Sequence, residues 1–302
     1  MNNKRRLFST LLCVAALTAG LFVSGCGSDK AGGIGSVVSS VVDGGSDEKA
    51  AAKLNTLIDA TNRFNGDNAT WGQNYTDSLA KLKGGFQEGA IGRQPHYDTL
   101  KDALEKSKKE GSTFKEVDTE RDNVLNILNE LVPTFKDLKA YDDSKAYMND
   151  GGAKGKELAA KYVAQVEKFD AAYAKFNDAL NKANTEQTKK QIEKLKKDGK
   201  KGYAAAMEST LRLTTLVENV EKAPKNADKQ AVEKELNEIQ TLLKSINNDR
   251  GEVLVNSYNS VVGSVRQVLT DANENNLNDM IENFNNYIES YNNTTPDQFD
   301  SK

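Results

Sequence analysis

The apolar side chains between residues 158 and 183 recur at steps of three and four positions, and this spacing constrains the fold more than any other feature. The stripe consists of Leu158, Tyr162, Val166, Phe169, Tyr173, Phe176, Leu180 and Ala183. A repeat near 3.5 residues is typical of a long helix that packs knobs-into-holes on partner helices at a shallow angle. A second stripe runs from Ile192 to Val217 after a polar interval. Both one very long helix and two helices between Glu157 and Glu221 satisfy this pattern.

Helical spacing is also found in the rest of the chain from residue 47 onward. Shorter apolar stripes of this kind fall within residues 54–61, 97–104, 114–132, 232–246, 254–268 and 277–291. Sustained period-two alternation, the signal for a half-buried strand, is absent from the sequence. Because short connections favour antiparallel neighbours, we predict an all-α fold. The prediction is an elongated up-and-down helical bundle with long coiled-coil-like helices over residues 47–295, followed by a polar tail at 296–302.

Four stretches are expected to interrupt the helices. Asn65–Asn68 contains turn-forming residues and predicts a break. Gly84–Gly92, with four glycines, predicts a loop. Pro133 lacks an amide donor and is expected to kink its helix or restart it. Tyr141–Gly155 is rich in aspartate and glycine and predicts a surface loop.

The first 26 residues have the composition of an export signal. Three cations within the first six residues precede an uncharged apolar run from Leu7 to Val23, and the run ends in Val23-Ser24-Gly25-Cys26. Such a segment is removed after export, and this ending is similar to a bacterial lipobox, in which the cysteine is lipidated. We predict a signal peptide at 1–25 and a lipidated Cys26 that begins a Gly/Ser-rich, flexible tether at 26–46. The alternative is an ordinary signal cut near Gly27, with Cys26 left free.

The composition of the processed chain excludes several classes of protein. Without residues 1–25 the chain has 277 residues and a formal charge of −6. A nucleic-acid partner is therefore not expected, since such proteins carry a basic excess. Cys13 leaves with the signal, Cys26 takes the lipid, and His96 is the one histidine. These counts argue against cysteine nucleophiles, thiolate zinc sites and histidine-assisted catalysis, so we predict a non-enzymatic protein without a cofactor.

Several short segments resemble a known family. They are Lys53-Leu54-Asn55-Thr56-Leu57-Ile58 with Asn62, Ala153-Lys154-Gly155-Lys156-Glu157-Leu158, Gly199 and Tyr203 after a lysine-rich interval, Phe284-Asn285, and Tyr291-Asn292. In this order they resemble the YiiG-like family of exported bacterial lipoproteins, which has no assigned function. The resemblance extends from Ala50 to Asn293. It implies an all-helical domain on a lipid anchor, and it supplies no catalytic residues.

The stretch from Asp271 to Glu282 is comparable with a calcium-binding EF loop. Oxygen-bearing side chains occupy its positions 1, 3, 5, 9 and 12, which makes the candidate ligands Asp271, Asn273, Asn275, Asp279 and Glu282. Two positions depart from that pattern. Asn276 stands where glycine gives the sharp turn, and Asn278 stands where an apolar residue is usual. We therefore favour a polar connection that ends in a helix cap, with no metal, and keep calcium binding as the alternative.

A lysine-rich interval spans residues 186–202. It contains seven lysines and three acids, a local charge of +4. A solvated helix face is the ordinary interpretation of such a run. The alternative is a contact with anionic lipid headgroups, lipopolysaccharide phosphates or an acidic partner. The interval has no interleaved aromatic residues of the kind that stack on nucleic-acid bases.

Together these features predict a lipid-anchored lipoprotein of the bacterial cell envelope, with its domain outside the cytoplasm. Its partners are expected to be the membrane, through Cys26, and an unknown envelope protein or ligand that it binds or scaffolds without catalysis. Gly27, rather than aspartate, follows the cysteine. In a Gram-negative cell this favours the outer membrane. The alternative function is a small-ligand-binding or calcium-binding lipoprotein that uses the loop 271–282.

Overall fold

The computed structural model describes residues 46–92, 94–111 and 114–301, without the side chains of 46–49 and 67–73. Within these residues all regular structure is helical and no strand occurs, which confirms the all-α prediction. In chain order the helices are α1 (Ser46–Lys83), α2 (Tyr97–Lys109), α3 (Lys115–Asp143), α4 (Tyr147–Asp150), α5 (Ala153–Lys197), α6 (Lys201–Lys222), α7 (Lys229–Lys244), α8 (Asp249–Thr270), α9 (Glu274–Asn292) and α10 (Pro296–Phe299).

The described chain forms two compact units. The first contains Lys53–Ala183, and the second contains Asn184–Lys302 together with the start of α1 up to Ala52. The boundary between the units falls within α5, which is continuous from Ala153 to Lys197.

The predicted 3.5-residue stripe forms the centre of the first unit. Tyr162, Val166 and Phe176 are fully buried on α5. Phe64 of α1 packs edge-on against Phe169 and Tyr173 of α5, at centroid distances of 5.8 and 5.3 Å. Fully burying one large apolar side chain stabilises a fold by ~1.5–3 kcal/mol, so this stripe contributes much of the packing that holds α5 in the first unit.

The chain between residues 157 and 221 forms two helices. α5 ends at Lys197, and Gly199 adopts a φ of +79° before α6 begins at Lys201. A left-handed residue after a helix is favourable for glycine because glycine has no Cβ. α6 ends at Lys222, directly before Ala223-Pro224, because the residue before a proline disfavours the helical conformation.

Three predicted interruptions are wrong or too long. α1 continues through Asn65–Asn68, and the buried Asn65 side chain accepts a hydrogen bond of 3.0 Å from the Tyr173 hydroxyl. α3 is one helix through Pro133, whose side chain is exposed, so the proline does not restart the helix; the other half of that expectation, a kink at Pro133, stays a prediction. The predicted loop at Tyr141–Gly155 is mostly helical and is reduced to two short turns beside α4.

A charged network is buried between α1 and α3. The Asp118 carboxylate lies 3.1 Å from the Lys53 ammonium and 2.5 Å from the Arg121 guanidinium. Arg121 also pairs with Asp122 at 3.0 Å. The side chains of Lys53 and Arg121 are each 5% exposed, so these pairs are largely screened from water.

The core of the second unit is formed by α6, α8 and α9. Tyr287 of α9 is fully buried, and its hydroxyl lies 3.1 Å from that of Thr210 on α6. Tyr258 of α8 donates to the Leu236 carbonyl of α7 at 2.5 Å. On the partly exposed side, Arg212 of α6 makes a two-pronged contact with Glu235 of α7, at 2.6 and 2.8 Å.

The last residues of the chain dock on the second unit. Phe299 is 2% exposed and stacks against Tyr203 and Tyr291 at 5.9 Å each. The Asp300 carboxylate accepts from the Gly202 amide at 2.6 Å, at the start of α6. The Asn248 amide donates to carbonyls of this segment, including that of Phe299 at 3.1 Å. The sequence predicts a polar tail for these residues, whereas Phe299 is a core residue of the second unit.

Candidate functional site

A cleft of about 310 Å³ lies in the first unit, between the segment before α2 and the C-terminal half of α3. Its apolar lining comes from Ile91, Pro95, Tyr97, Val132 and Phe135. Gln94, His96, Asp98, Lys136 and Lys139 add polar and charged groups. Ligand sites in proteins usually combine an apolar lining with a few polar groups of this kind.

The loop that forms one side of the cleft is held by Ser78 of α1. The Ser78 hydroxyl donates to the Ala90 carbonyl at 2.7 Å and accepts from the Gly92 amide at 2.9 Å. A Cβ on Gly92 would lie 3.1 Å from the Ser78 Cβ and 3.2 Å from the Asn74 carbonyl oxygen. The close approach of the loop to α1 therefore requires a small residue at position 92.

The wall of the cleft is supported by a buried polar network. The Gln94 amide nitrogen donates to the Gly92 carbonyl at 3.2 Å, and its amide oxygen accepts from the Tyr162 hydroxyl. The Tyr97 and Tyr75 hydroxyls lie 3.0 Å apart. Burial raises the pKa of both tyrosines well above the ordinary value, so both stay protonated at neutral pH. These hydrogen bonds orient Gln94 and Tyr97 before any ligand is present.

The rim of the cleft carries charges of both signs. The Lys136 ammonium lies 3.5 Å from the Asp98 carboxylate, and Lys139 contacts Asp143 at 2.8 Å. His96 is exposed and immediately precedes α2. All of these side chains are on the surface, where ion pairs contribute little and exchange easily with other partners. The arrangement suits a small molecule with an apolar body and one anionic group.

A partly buried carboxyl, that of Asp170, lies on α5 near this network. The pKa of Asp170 is raised to about 6, chiefly by burial; the Lys83 ammonium opposes this shift and the nearby Glu167 adds to it. Asp170 also acts electrostatically on Tyr75, Tyr97 and Tyr162, whose pKa values it raises. With a pKa of about 6, the Asp170 carboxyl changes its protonation state just below neutral pH.

The predicted calcium ligands lie at the junction of α8 and α9. Asp271 is the C-cap of α8, and Asn273 is the N-cap of α9, where its side-chain oxygen accepts from the Asn276 amide at 2.9 Å. The Asn273 amide group donates to the Asp271 carboxylate at 2.7 Å. The remaining candidates, Asn275, Asp279 and Glu282, are on exposed turns of α9. The backbone from residue 274 onward is helical, so the connection between the helices is only three residues long.

Comparison with protein families shows to which family the chain is related. Residues 48–283 match the family described as Protein of unknown function (DUF3829). The chain belongs to this family. Comparison with the curated proteins and with the solved structures found no match.

The DUF3829 match contains the cleft and all five calcium candidates, and it begins two residues after the predicted tether ends. Cys26 and the signal segment precede the match and lie outside the described residues. Phe299 and Asp300 follow the match. The family match therefore covers the helical units and supplies no functional residue.

Metal-binding clusters and membrane-spanning helices are both absent from the described part of the DUF3829 chain. It contains no group of three or more histidine, cysteine, aspartate or glutamate side chains arranged to hold a metal ion. It also contains no helix long and apolar enough to cross a bilayer.

The lysine-rich interval occupies the end of α5, the following turn and the start of α6. Three of its lysines pair with acids: Lys189 with Glu186, Lys196 with Glu193 and Glu208, and Lys200 with Asp297. Lys190, Lys197 and Lys201 are exposed and form no ion pair within the described residues. The structure thus divides a run of like charges into a paired set and an unpaired set.

Proposed function

We propose that this DUF3829 protein is a lipid-anchored lipoprotein of the bacterial cell envelope that binds or scaffolds another component without catalysis. The observation that carries this proposal is the ending Val23-Ser24-Gly25-Cys26, directly after a basic segment and an uncharged apolar run. The resemblance to the YiiG-like family of exported lipoproteins supports it.

The proposed location follows from the same segment. Cys26 becomes the lipidated first residue, and the helical units lie outside the cytoplasm. Each buried acyl methylene contributes ~0.8 kcal/mol, so the two or more chains of a bacterial lipoprotein hold it on the membrane permanently. Gly27 after the cysteine favours the outer membrane in a Gram-negative cell.

Membrane fractionation of two variants, each with one cysteine replaced by serine, tests the lipid anchor. Cys26→Ser is expected to move the protein out of the washed membrane fraction or to leave it unprocessed at the size of the precursor. Cys13→Ser is the matched control, because it changes a thiol within the apolar run and leaves the lipobox intact. Equal fractionation and equal size of all three proteins would refute the anchor.

A second candidate function is the binding of a small amphipathic anion, and the cleft beside α2 favours it. Val132 and Phe135 would contact the apolar body of the ligand, while Lys136 and His96 are on the rim near its anionic group. Calcium binding by the loop 271–282 stays a separate alternative; there the Asn273 side chain caps α9, and its amide group donates to the Asp271 carboxylate.

Titration calorimetry with phenylbutyrate, a small amphipathic anion, tests the cleft. We expect weak binding that Phe135→Ala abolishes and Lys136→Gln reduces about fivefold. Lys101→Gln is the control, since Lys101 also pairs with an acid on the surface but does not line the cleft. Binding of the same strength in all variants, or no heat at all, would remove this candidate.

A further inference from the structure

Two of the three unpaired lysines of the interval 186–202, Lys190 and Lys197, lie on one side of α5. Lys190 and Lys197 are seven residues apart, which is two helical turns, so they point in nearly the same direction. Ile192 and Leu195, on the opposite side of the helix, are 4% and 1% exposed. Lys201, the first residue of α6, is also exposed. These three ammonium groups therefore face away from the core of the second unit.

The acids near the interval do not neutralise this face. Glu186, Glu193, Glu208 and Asp297 contact lysines of the paired set. Asp300 accepts hydrogen bonds at the start of α6. Asp198 is exposed in the turn after α5 and is the one acid of the interval with no lysine within ion-pair distance. The local excess of positive charge thus remains on the outer face.

The same unit contains the start of the domain. Its residues up to Ala52 belong to the second unit, together with the lysine end of α5. The direction of the helices agrees with this grouping, because late residues of α1 contact early residues of α5. Lys83 pairs with Glu167 at 2.7 Å, and Asn65 contacts Tyr173 further along α5. α1 and α5 are therefore antiparallel where these contacts form, and Ser46, the residue at which the predicted tether enters, belongs to the same unit as the lysine end of α5.

We propose that Lys190, Lys197 and Lys201 dock on anionic phospholipid headgroups of the membrane that holds Cys26. A basic cluster beside a membrane anchor is attracted to an anionic bilayer surface, and each lysine near the surface strengthens the attraction about fivefold. The lipid on Cys26 keeps the domain close to the membrane, and the three lysines determine which face of it turns toward the headgroups. This inference rests on the proposed function, because the lipid on Cys26 brings the face within reach of the headgroups.

Lysine acetylation of the reconstituted protein tests the docking. The full-length gene product, processed by its host and extracted in detergent, is inserted into vesicles of phosphatidylcholine alone or with added phosphatidylglycerol. We expect Lys190, Lys197 and Lys201 to react about fivefold more slowly on the anionic vesicles. Lys106, Lys109 and Lys115, which are exposed and form no ion pair within the described residues, should react equally on both. Salt near 0.5 M should remove the difference, because it shortens the screening length.

Two variants and a flotation assay separate the possible failures. Lys194 lies on α5 about one turn from both Lys190 and Lys197, so it should also react more slowly on the anionic vesicles. The combination Lys190→Gln, Lys197→Gln and Lys201→Gln should abolish this protection of Lys194, whereas glutamine at Lys106, Lys109 and Lys115 should preserve it. Protein that does not float with either kind of vesicle overturns the anchor and, with it, the docking. Protein that floats with both but reacts at the same rates on both overturns the docking alone.

Discussion

The carboxylate of Asp118 lies between two cations that are themselves almost entirely buried. Lys53 and Arg121 have little access to water, so neither can replace Asp118 with solvent. Removing one partner of a buried ion pair typically costs ~3–5 kcal/mol, because the remaining charge stays buried without compensation. Lys53 comes from α1 and Asp118 from α3, so this network fixes the relative position of the two helices.

Asp118→Asn is therefore expected to lower the free energy of unfolding by about 3 kcal/mol. Asp143→Asn is the matched control, because it also removes a carboxylate from an ion pair, but its partner Lys139 is half-exposed. The control should lose less than about 1 kcal/mol. Urea denaturation of the two variants measures both values. Losses of equal size would mean that the Asp118 network does not behave as a buried one.

Asp170 makes the stability of the first unit depend on pH. Its pKa is about 6 in the folded chain, mainly because of burial, and 3.8 without this environment. The folded state therefore binds the Asp170 proton between about pH 4 and 6, where the unfolded chain has lost it. It follows that stability from this group is complete below about pH 4 and decreases as the pH rises toward 6.

Asp170→Asn, which resembles the protonated carboxyl, is expected to match the natural chain at pH 4. At pH 7 it should be more stable, by at most about 3 kcal/mol. Denaturation of both proteins at several pH values measures this difference, and Asp178→Asn, at an exposed site on the same helix, serves as the control. A difference that stays constant from pH 4 to 7 would show that burial does not shift the pKa of Asp170.

At the scale of the helices, Asn273 determines where α9 begins. Its side-chain oxygen satisfies the Asn276 amide, one of the amide groups that the first helical turn leaves without a partner. Asn273→Ala should lower stability by about 1 kcal/mol, and Asn273→Asp, which keeps the acceptor, should lower it much less. Asn278→Ala is the control at an exposed position inside α9. Denaturation of the three variants checks this prediction.

Added calcium is expected to leave the unfolding midpoint unchanged in the natural chain and in Asn273→Ala. A midpoint that rises with calcium in the natural chain but not in Glu282→Ala would instead support the calcium alternative and contradict a purely structural cap.

Two helical glycines are expected to respond oppositely to alanine. A Cβ on Gly202, at the start of α6, would lie 2.1 Å from the Phe299 carbonyl oxygen, so the docked C-terminal segment would have to move. A Cβ on Gly263, inside α8, would meet nothing within 4 Å. Gly263→Ala should therefore raise stability by ~0.5–1 kcal/mol through helix propensity. Gly202→Ala should lower it. Thermal unfolding measures both changes, and a stabilising Gly202→Ala would contradict the docking of Phe299.

The helices could largely be predicted from apolar spacing, and the errors have a common physical origin. The stripe from Leu158 to Ala183 reports local periodicity, and α5 follows it. The predicted break at Asn65 fails because Tyr173, which bonds to that asparagine, is 108 residues away in the sequence. Composition near Asn65 indicates a turn, whereas a contact that only the folded chain creates keeps the residue in a helix.

The cleft was beyond prediction for the same reason. Its loop depends on Ser78, which is 14 residues before Gly92, and its wall depends on Tyr162, which is 68 residues after Gln94. The sequence indicated only that Gly84–Gly92 is a loop and that an apolar stripe of helical spacing follows at 97–104. The burial of Phe299 could not be predicted either, because a single aromatic residue in a polar segment forms no periodic pattern.

At the scale of the whole molecule, an all-helical DUF3829 domain follows a predicted lipid anchor. The family match and the described structure concern the helical part, whereas the anchor depends on the residues around Cys26. A lipoprotein needs only one covalent change to become membrane-bound, so the chemistry of a single thiol decides the location of every other residue.

Metabolic labelling with palmitate tests that claim most directly. In the bacterial host, the natural chain and Cys13→Ser are predicted to incorporate the label, and Cys26→Ser is predicted to incorporate none. An unlabelled natural chain, or a label that persists in Cys26→Ser, would contradict the account.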